Sequence, residues 1–510
     1  MGIKEDMAEL ERKRAWALAM GGPERVARQH AKGRLTARER IERLLDPGTF
    51  FETGMFTHAP EPEWALRTPG DGVICGYGKI EGRIVAVSAN DSTVLAGSDG
   101  SEAAGRKNGR VSNFAHDRGY PHIELAEGGG GRIHNLMGWA IARVGGGGGG
   151  VGGSKSVPPE NRVPLLTAVL GNSYGGSSFR AGSSDWVVMT KSSSISISSP
   201  GLIEVSIGEK VSNEELGGWE LHARKTGQID MATETEDEAL AAVREMVGYL
   251  PSRASESPPV RRTGDDPRRR DEGLLTVVPE NANRAFDMTR IIKRFVDDGK
   301  YLLVKPEFGK CLVCCLARLD GHSVGIVANN SLYQAGAIDV EGAVKAARFV
   351  TLCNTFNIPL IFLHDVPGVL IGKQQEADGV VSKIMDLMGA LSSCKVPRLA
   401  VIVRKSYGLA YLAMSGSYAR NTFTFAWPTA RIGFMAPEAG VRVAYGRQLA
   451  EQNLTKEALE AKYGEYIAEW EQGGLPWEAA GAGYIDDVID PRDTRWALIR
   501  ALEVALGRSY

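Results

Sequence analysis

The sequence predicts an α/β protein built from two related halves. Three observations carry this reading: a length beyond one hydrophobic core, a set of collinear internal matches, and β-branched runs that alternate with helical patterns. At 510 residues the natural division is two domains of about 250 residues each, because single cores stop growing near that size. Apolar residues make up 43% and charged residues 24%, with a formal net charge of -2. That is the balance of a globular chain able to bury a core, and it gives no bias toward nucleic acid.

The internal matches come next, since a missed duplication misreads the whole fold. Lys79-Ile-Glu-Gly-Arg-Ile-Val-Ala-Val-Ser-Ala-Asn90 aligns without gaps with Arg318-Leu-Asp-Gly-His-Ser-Val-Gly-Ile-Val-Ala-Asn329, and the same shift pairs Ala96-Gly97 with Ala335-Gly336. The stretch 163–178 matches 396–411, so Ser173-Tyr174-Gly175 corresponds to Ser406-Tyr407-Gly408. Between these, Ile123-Glu-Leu-Ala-Glu127 precedes four glycines and Ile361-Phe-Leu-His-Asp365 precedes Val-Pro-Gly. Three matches in one order leave little room for chance.

Residues 251–273 are turn-forming and charged, with almost nothing to bury, and read as a linker between an N-terminal domain, 1–250, and a C-terminal domain, 274–510. Within each half, apolar runs alternate with helical patterns such as 342–353, as βαβ units require. The longest apolar runs, from Val163 and from Val396, are far short of the roughly 18 residues that would span a bilayer. They read as buried strands. The mixed-charge start, without an apolar core, resembles neither a secretory signal nor a transit peptide, so the expected compartment is the cytoplasm. Cys311, Cys314 and Cys315 sit in an apolar run without paired CxxC modules. They read as buried thiols, and no metal is expected.

The chemistry points to the repeated turn. In both halves an apolar strand runs into Ser-Tyr-Gly and then a helix of small residues, through Gly175-Gly176-Ser177 and Gly408-Leu409-Ala410. The first turn of a helix leaves backbone N–H groups without acceptors, and small side chains let an oxygen approach them. A pair of such donors can hold an enolate oxygen. The plainer reading, that the turn serves close helix–sheet packing, is weakened by its recurrence at matched places. Other chemistries fit less well. Ser177 and Ser178 lack a Gly-x-Ser-x-Gly elbow, Gly128–Gly131 lacks the Lys-Ser/Thr of a phosphate loop, His222 reads as a packed histidine, and Asp486-Asp487 reads as a turn or cap.

These motifs, together with 31–50, Asp71-Gly-Val-Ile-Cys-Gly-Tyr-Gly78, Glu214-Glu-Leu-Gly-Gly218, Asp365-Val-Pro-Gly368, Arg404-Lys-Ser-Tyr-Gly408, Ala426-Trp-Pro-Thr-Ala430 and 483–492, resemble the carboxyltransferase (β) subunits of propionyl-CoA, methylcrotonyl-CoA and related acyl-CoA carboxylases over nearly the whole chain. The resemblance implies two tandem crotonase-like domains and a homohexamer, a trimer of dimers, with sites where one protomer's N-domain meets another's C-domain. Acyl-CoA would lie mainly on the N-domain. Carboxybiotin, brought by a biotin carboxylase/biotin carboxyl carrier partner, would lie mainly on the C-domain. By position the donors would be Gly175 and Gly176 in one half and Leu409 and Ala410 in the other. Gly129, Gly130, Arg132, Tyr174, Ser177, Pro367, Gly368, Tyr407, Gly408 and Leu412 would bind substrate or biotin, Leu412 bearing on acyl selectivity.

Several positions depart from the family pattern. Gly128-Gly-Gly-Gly-Arg132 stands for Ser-Gly-Gly-Ala-Arg, Leu409 for a glycine, and Met435-Ala436 for Met-Gly, while Gly145–Gly150 replaces an amphipathic helix with six glycines. A positive φ at Leu409 would be strained, and the glycine run is expected to be a mobile loop. Two other readings stay open: an acyl-CoA decarboxylase on the same site, and a weakened paralogue that scaffolds a carboxylase complex. The chain shows no Met-Lys-Met biotinylation motif, so overall carboxylation would require partner chains.

Overall fold

The structure, a computed structural model, describes residues 2–98, 101–138, 161–416, 422–452 and 454–507. The run Gly145–Gly150 lies outside the described residues. The chain divides into two compact units, Met1–Ser257 and Pro258–Tyr510.

The N unit is organised by a mixed sheet of β1 (Phe51–Thr53), β2 (Val73–Ile80), β3 (Arg83–Asn90), β4 (His122–Ala126), β5 (Leu165–Val169), β7 (Trp186–Thr190) and β9 (Met231–Thr233), in that spatial order. Two short strands, β6 (Asn172–Tyr174) and β8 (Ser194–Ser196), pair apart from it. β1, β2 and β3 pair antiparallel, and every later pairing is parallel.

The C unit repeats the scheme. Its order is β10 (Tyr301–Val304), β11 (Leu312–Leu319), β12 (His322–Asn329), β13 (Leu360–Val366), β14 (Arg398–Tyr407), β15 (Phe423–Ala426) and β17 (Asp487–Val488), with β16 (Arg431–Gly433) beside the end of β14. Again two antiparallel pairings come first and parallel ones follow. The backbone repeats in detail: Leu95-Ala96-Gly97 and Gln334-Ala335-Gly336 are left-handed in turn, as are Glu81-Gly82 and Asp320-Gly321.

Residue type explains the central strands. β4, β5, β7 and β13 are buried along their whole length, as parallel strands covered on both faces must be, hence their continuous apolar runs. Burial pushes the Cys314 thiol up to about 11 and the Cys315 thiol higher still, so these are packed thiols. The helix Val340–Thr355 is capped by Asp339, which accepts the N–H of Gly342 at 2.7 Å. The expected linker has no strand and one short helix, Leu274–Val277, follows it. Its charges hold it down: Arg269 donates to the carbonyls of Arg294 and Val296, and Arg495 to those of Asp265 and Asp266.

Candidate active site

In each unit the matched turn stands at the carboxyl end of the parallel strands, where open α/β sheets place their ligands. In the N unit, β5 leads through β6 into Gly175 and then the helix Gly176–Ser183. Gly175 has φ 57° and ψ -124°, a conformation that only glycine adopts freely. In the C unit, β14 leads into Gly408, φ 60°, at the head of the helix Gly408–Ala413. The two glycines of the aligned Ser-Tyr-Gly motifs thus share one left-handed hinge.

The hinge decides which N–H groups are available. Of the expected pair, Gly175 and Gly176, Gly175 donates its own N–H to the carbonyl of Ile197 at 3.2 Å. The following two, Gly176 and Ser177, have no acceptor among the described residues. They align with Leu409 and Ala410, which are equally free of acceptors among the described residues. The sequence alignment already held this signal, since Gly175 stands opposite Gly408. Leu409 needs no positive φ. The strain expected there is absent, because the hinge lies one residue earlier. Its side chain is 44% exposed, beside a buried Ala410 and a half-buried Leu412.

The glycine loop after β4 packs directly on the N-unit hinge. Tyr174 donates its N–H to Gly128 at 2.9 Å, and Gly129 donates to Ala96 at 2.8 Å. A Cβ on Gly175 would lie 3.3 Å from the Gly130 Cα, and one on Gly128 only 2.8 Å from the Ser177 Oγ. These glycines are a condition of close approach. Tyr174 reaches Asn213 through its hydroxyl, and burial raises its pKa. In the C unit Tyr407 is buried and its phenol is pushed up to about 12, while the Gly368 carbonyl accepts the Ile338 N–H at 3.1 Å and pins the Pro367-Gly368 loop.

Arg132 is 5% exposed, pairs with Asp71 at 3.0 Å, and donates to the Ser98 carbonyl at 3.2 Å. Its guanidinium holds the loop from within the unit. The C unit has a comparable pair that sequence reasoning missed: Asp365, wholly buried, accepts Arg404 at 3.0 and 2.8 Å. In the N unit, Glu127, aligned with Asp365, is held by Gln29, Arg34 and Arg40. His222 donates to or accepts from neighbours on both nitrogens, Ile195 and Thr226, and burial lowers its pKa. Asp486 accepts the Thr424 N–H at 2.6 Å, as a capping carboxylate does.

Two matched turns, each with a left-handed glycine before two N–H groups free of acceptors among the described residues, stand on matched sheets. The carboxyl transferase domain family matches residues 28–509. The chain belongs to that family. It is 37% identical to a propionyl-CoA carboxylase beta chain of Roseobacter denitrificans, over 99% of this chain and 98% of that one. It is 36% identical to the methylmalonyl-CoA decarboxylase subunit alpha of Veillonella parvula, over 99% and 97%. Among solved structures, transcarboxylase 12S, described as a hexamer assembly with methylmalonyl-coenzyme A bound, superposes with a TM-score of 0.92 at 33% identity, covering 100% of this chain and 96% of that one. The carboxyltransferase is thus an enzyme of the acyl-CoA carboxylase β-subunit type. Among its described residues no cluster of His, Cys, Asp or Glu could hold a metal ion, and no helix is long and apolar enough to cross a membrane.

Proposed function

We propose that this carboxyltransferase moves a carboxyl group between biotin and the α or vinylogous carbon of an acyl-CoA, through an enolate held by backbone N–H groups. The observation that carries the proposal is the pair of matched turns, each with a left-handed glycine followed by two N–H groups free of acceptors among the described residues. We read the shared strand order and shared left-handed positions as a duplication of one crotonase-like domain. In this reading Gly176 and Ser177 face a thioester oxygen in the N unit, and Leu409 and Ala410 face the ureido oxygen of biotin in the C unit.

The main chain does the work. Two fixed N–H dipoles stabilise oxygen charge as it develops, each worth about 3 kcal/mol of transition-state energy. In both turns the proposed donor is a main-chain N–H, which suits the carbonyl of a thioester and that of a urea alike. Carboxybiotin, carried by a biotin carboxylase/carboxyl carrier partner, supplies the carboxyl group and, once relieved of it, a basic nitrogen. The hexamer described for transcarboxylase 12S supports a homohexamer here, with sites shared between protomers. The Veillonella parvula relative favours decarboxylation as a second reading, because the same donors serve an enolate formed from either side.

The test uses the full chain with free biotin and malonyl-CoA, methylmalonyl-CoA and bulkier carboxyacyl-CoAs. Biotin-dependent loss of the carboxyl group is expected, reduced about 10²- to 10³-fold in Gly176→Pro. Proline is tolerated at a helix's first position, so this change removes the N–H at little cost to folding. Turnover without biotin supports the decarboxylase reading instead. A chain that neither turns over nor binds any CoA ester is a scaffold, and the proposal falls.

A further inference from the structure

The C-unit turn is gripped in a way that its N-unit counterpart is not. β13 and β14 run parallel with His364 opposite Ile402, yet two residues on, Val366 already faces Ser406. β14 therefore carries extra residues over this span, a bulge that re-aims the strand end just before Tyr407-Gly408-Leu409-Ala410. Two consecutive side chains of β13 fasten the extra length. Asp365 takes the Arg404 guanidinium and accepts the Lys405 N–H at 3.3 Å. His364 meets the next residue, with its Nδ1 2.8 Å from the Ser406 Oγ, and both residues are wholly buried.

The same imidazole packs edge-on against Tyr411, ring centroids 6.1 Å apart. It thus touches the chain on both sides of Leu409 and Ala410. In the N unit the position matching His364 is Ala126, and the matching serine hydroxyl, Ser173, makes only a 3.4 Å contact with the Gly171 carbonyl. Burial brings the His364 pKa down to about 4, against a pull from the Met414 backbone. The ring is therefore neutral, with one N–H and one bare nitrogen. Among the described residues its Nε2 meets no partner in full hydrogen-bond geometry, so beside the Met414 backbone the Ser406 hydroxyl supplies its one well-formed side-chain hydrogen bond.

We infer that His364 is a positioning residue of the carboxyl transfer: through Ser406 and Tyr411 it fixes the direction of the Leu409 and Ala410 N–H groups. The inference rests on the proposed function for the role of those donors. The test compares His364→Leu, Ser406→Ala, the double variant and His364→Asn in the full chain, with methylmalonyl-CoA and biotin. Asparagine keeps a polar atom where Nδ1 stood. His364→Leu and Ser406→Ala should each lower kcat about tenfold with KM within about twofold, as expected of donors that act in the transition state. The double variant should be no slower than either single one, since both remove one contact. His364→Asn should return kcat to within about threefold of the parent.

Hydrogen exchange supplies a readout without turnover. The Met414 and Gly416 amides, bonded to Ala410 and Tyr411, should exchange about tenfold faster in His364→Leu and be restored in His364→Asn. A leucine variant with parental kcat, an asparagine variant as slow as leucine, or losses that add in the double variant overturn the inference. If the parent turns over no carboxyacyl-CoA, the functional reading fails and exchange alone decides. Unchanged protection at Met414 and Gly416 then overturns the positioning role as well.

Discussion

Gly408→Ala replaces one hydrogen at the hinge of the C-unit turn, and its effect can be worked from one torsion angle and one distance. Gly408 has φ 60°, and holding alanine in the left-handed region costs about 1–2 kcal/mol. The added Cβ would also stand 2.8 Å from the carbonyl oxygen of Phe434, closer than carbon and oxygen ordinarily come. That oxygen belongs to the main chain and cannot swing aside as a side chain would, so overpacking adds about 1–3 kcal/mol. The total is about 2–5 kcal/mol. At roughly 2–4 °C per kcal/mol for a unit of this size, the C unit should melt on the order of 10 °C lower.

The turn can also yield without unfolding, and then Leu409 and Ala410 swing off their target and kcat falls about 10²-fold, as on loss of one donor. Calorimetry and carboxyl transfer, measured on one preparation, separate the two outcomes. Gly105→Ala is the control: it lies exposed in the helix Glu102–Arg118 with nothing within 4 Å of its Cβ, and should gain roughly 0.5–1 kcal/mol with kcat unchanged. A Gly408→Ala protein matching the parent in both melting and kcat would refute the constrained hinge, and the donor argument would lose its footing.

Other expectations follow from the same contacts. Asp365→Asn leaves the buried Arg404 guanidinium without its charge partner and should cost about 3–5 kcal/mol, read as a lower denaturant midpoint; an unchanged midpoint refutes the pair's role. His122 and His364 have pKa values depressed by burial from 6.5 to about 3 and about 4, so the fold favours their neutral forms. Their contribution is complete above pH 6.5, where both states are unprotonated. It declines as pH falls from 6.5 toward 4 and 3, because the unfolded chain takes up protons that the folded chain refuses. The denaturant midpoint should therefore drop between pH 7 and pH 5, and His364→Leu should drop less; equal slopes in the two proteins would contradict the burial argument.

The frame of the fold was legible because it was written twice. Ala96-Gly97 and Ala335-Gly336 match in sequence, and both pairs are left-handed in the structure. The turn itself was legible for the same reason, but which of its N–H groups lack an acceptor was not. Gly175 and Gly176 look alike in sequence, and only the hinge at Gly175 and its bond to Ile197 tell them apart. The ion pair of Arg132 was not legible, because its partner, Asp71, lies in a left-handed turn 61 positions away, a pairing that no local pattern reveals. His364 gave no signal at all, since its meaning comes from a bulge between neighbouring strands.

The proposed mechanism, with donors made from main chain, implies an uncommon mutational profile. Leu409 can stand where the family pattern has a glycine, because the proposed donor is its main-chain N–H and not its side chain, which is 44% exposed. An alanine scan would pass through Gly176, Ser177 and Leu409 and remove none of the four donor groups, recording only side effects on packing. Sequence drift can likewise change the side chains around the two turns while the N–H groups persist. Gly176→Pro removes one donor at a helix's first position, and backbone amide-to-ester replacement extends the same perturbation to the other three, where side-chain substitution leaves the N–H in place.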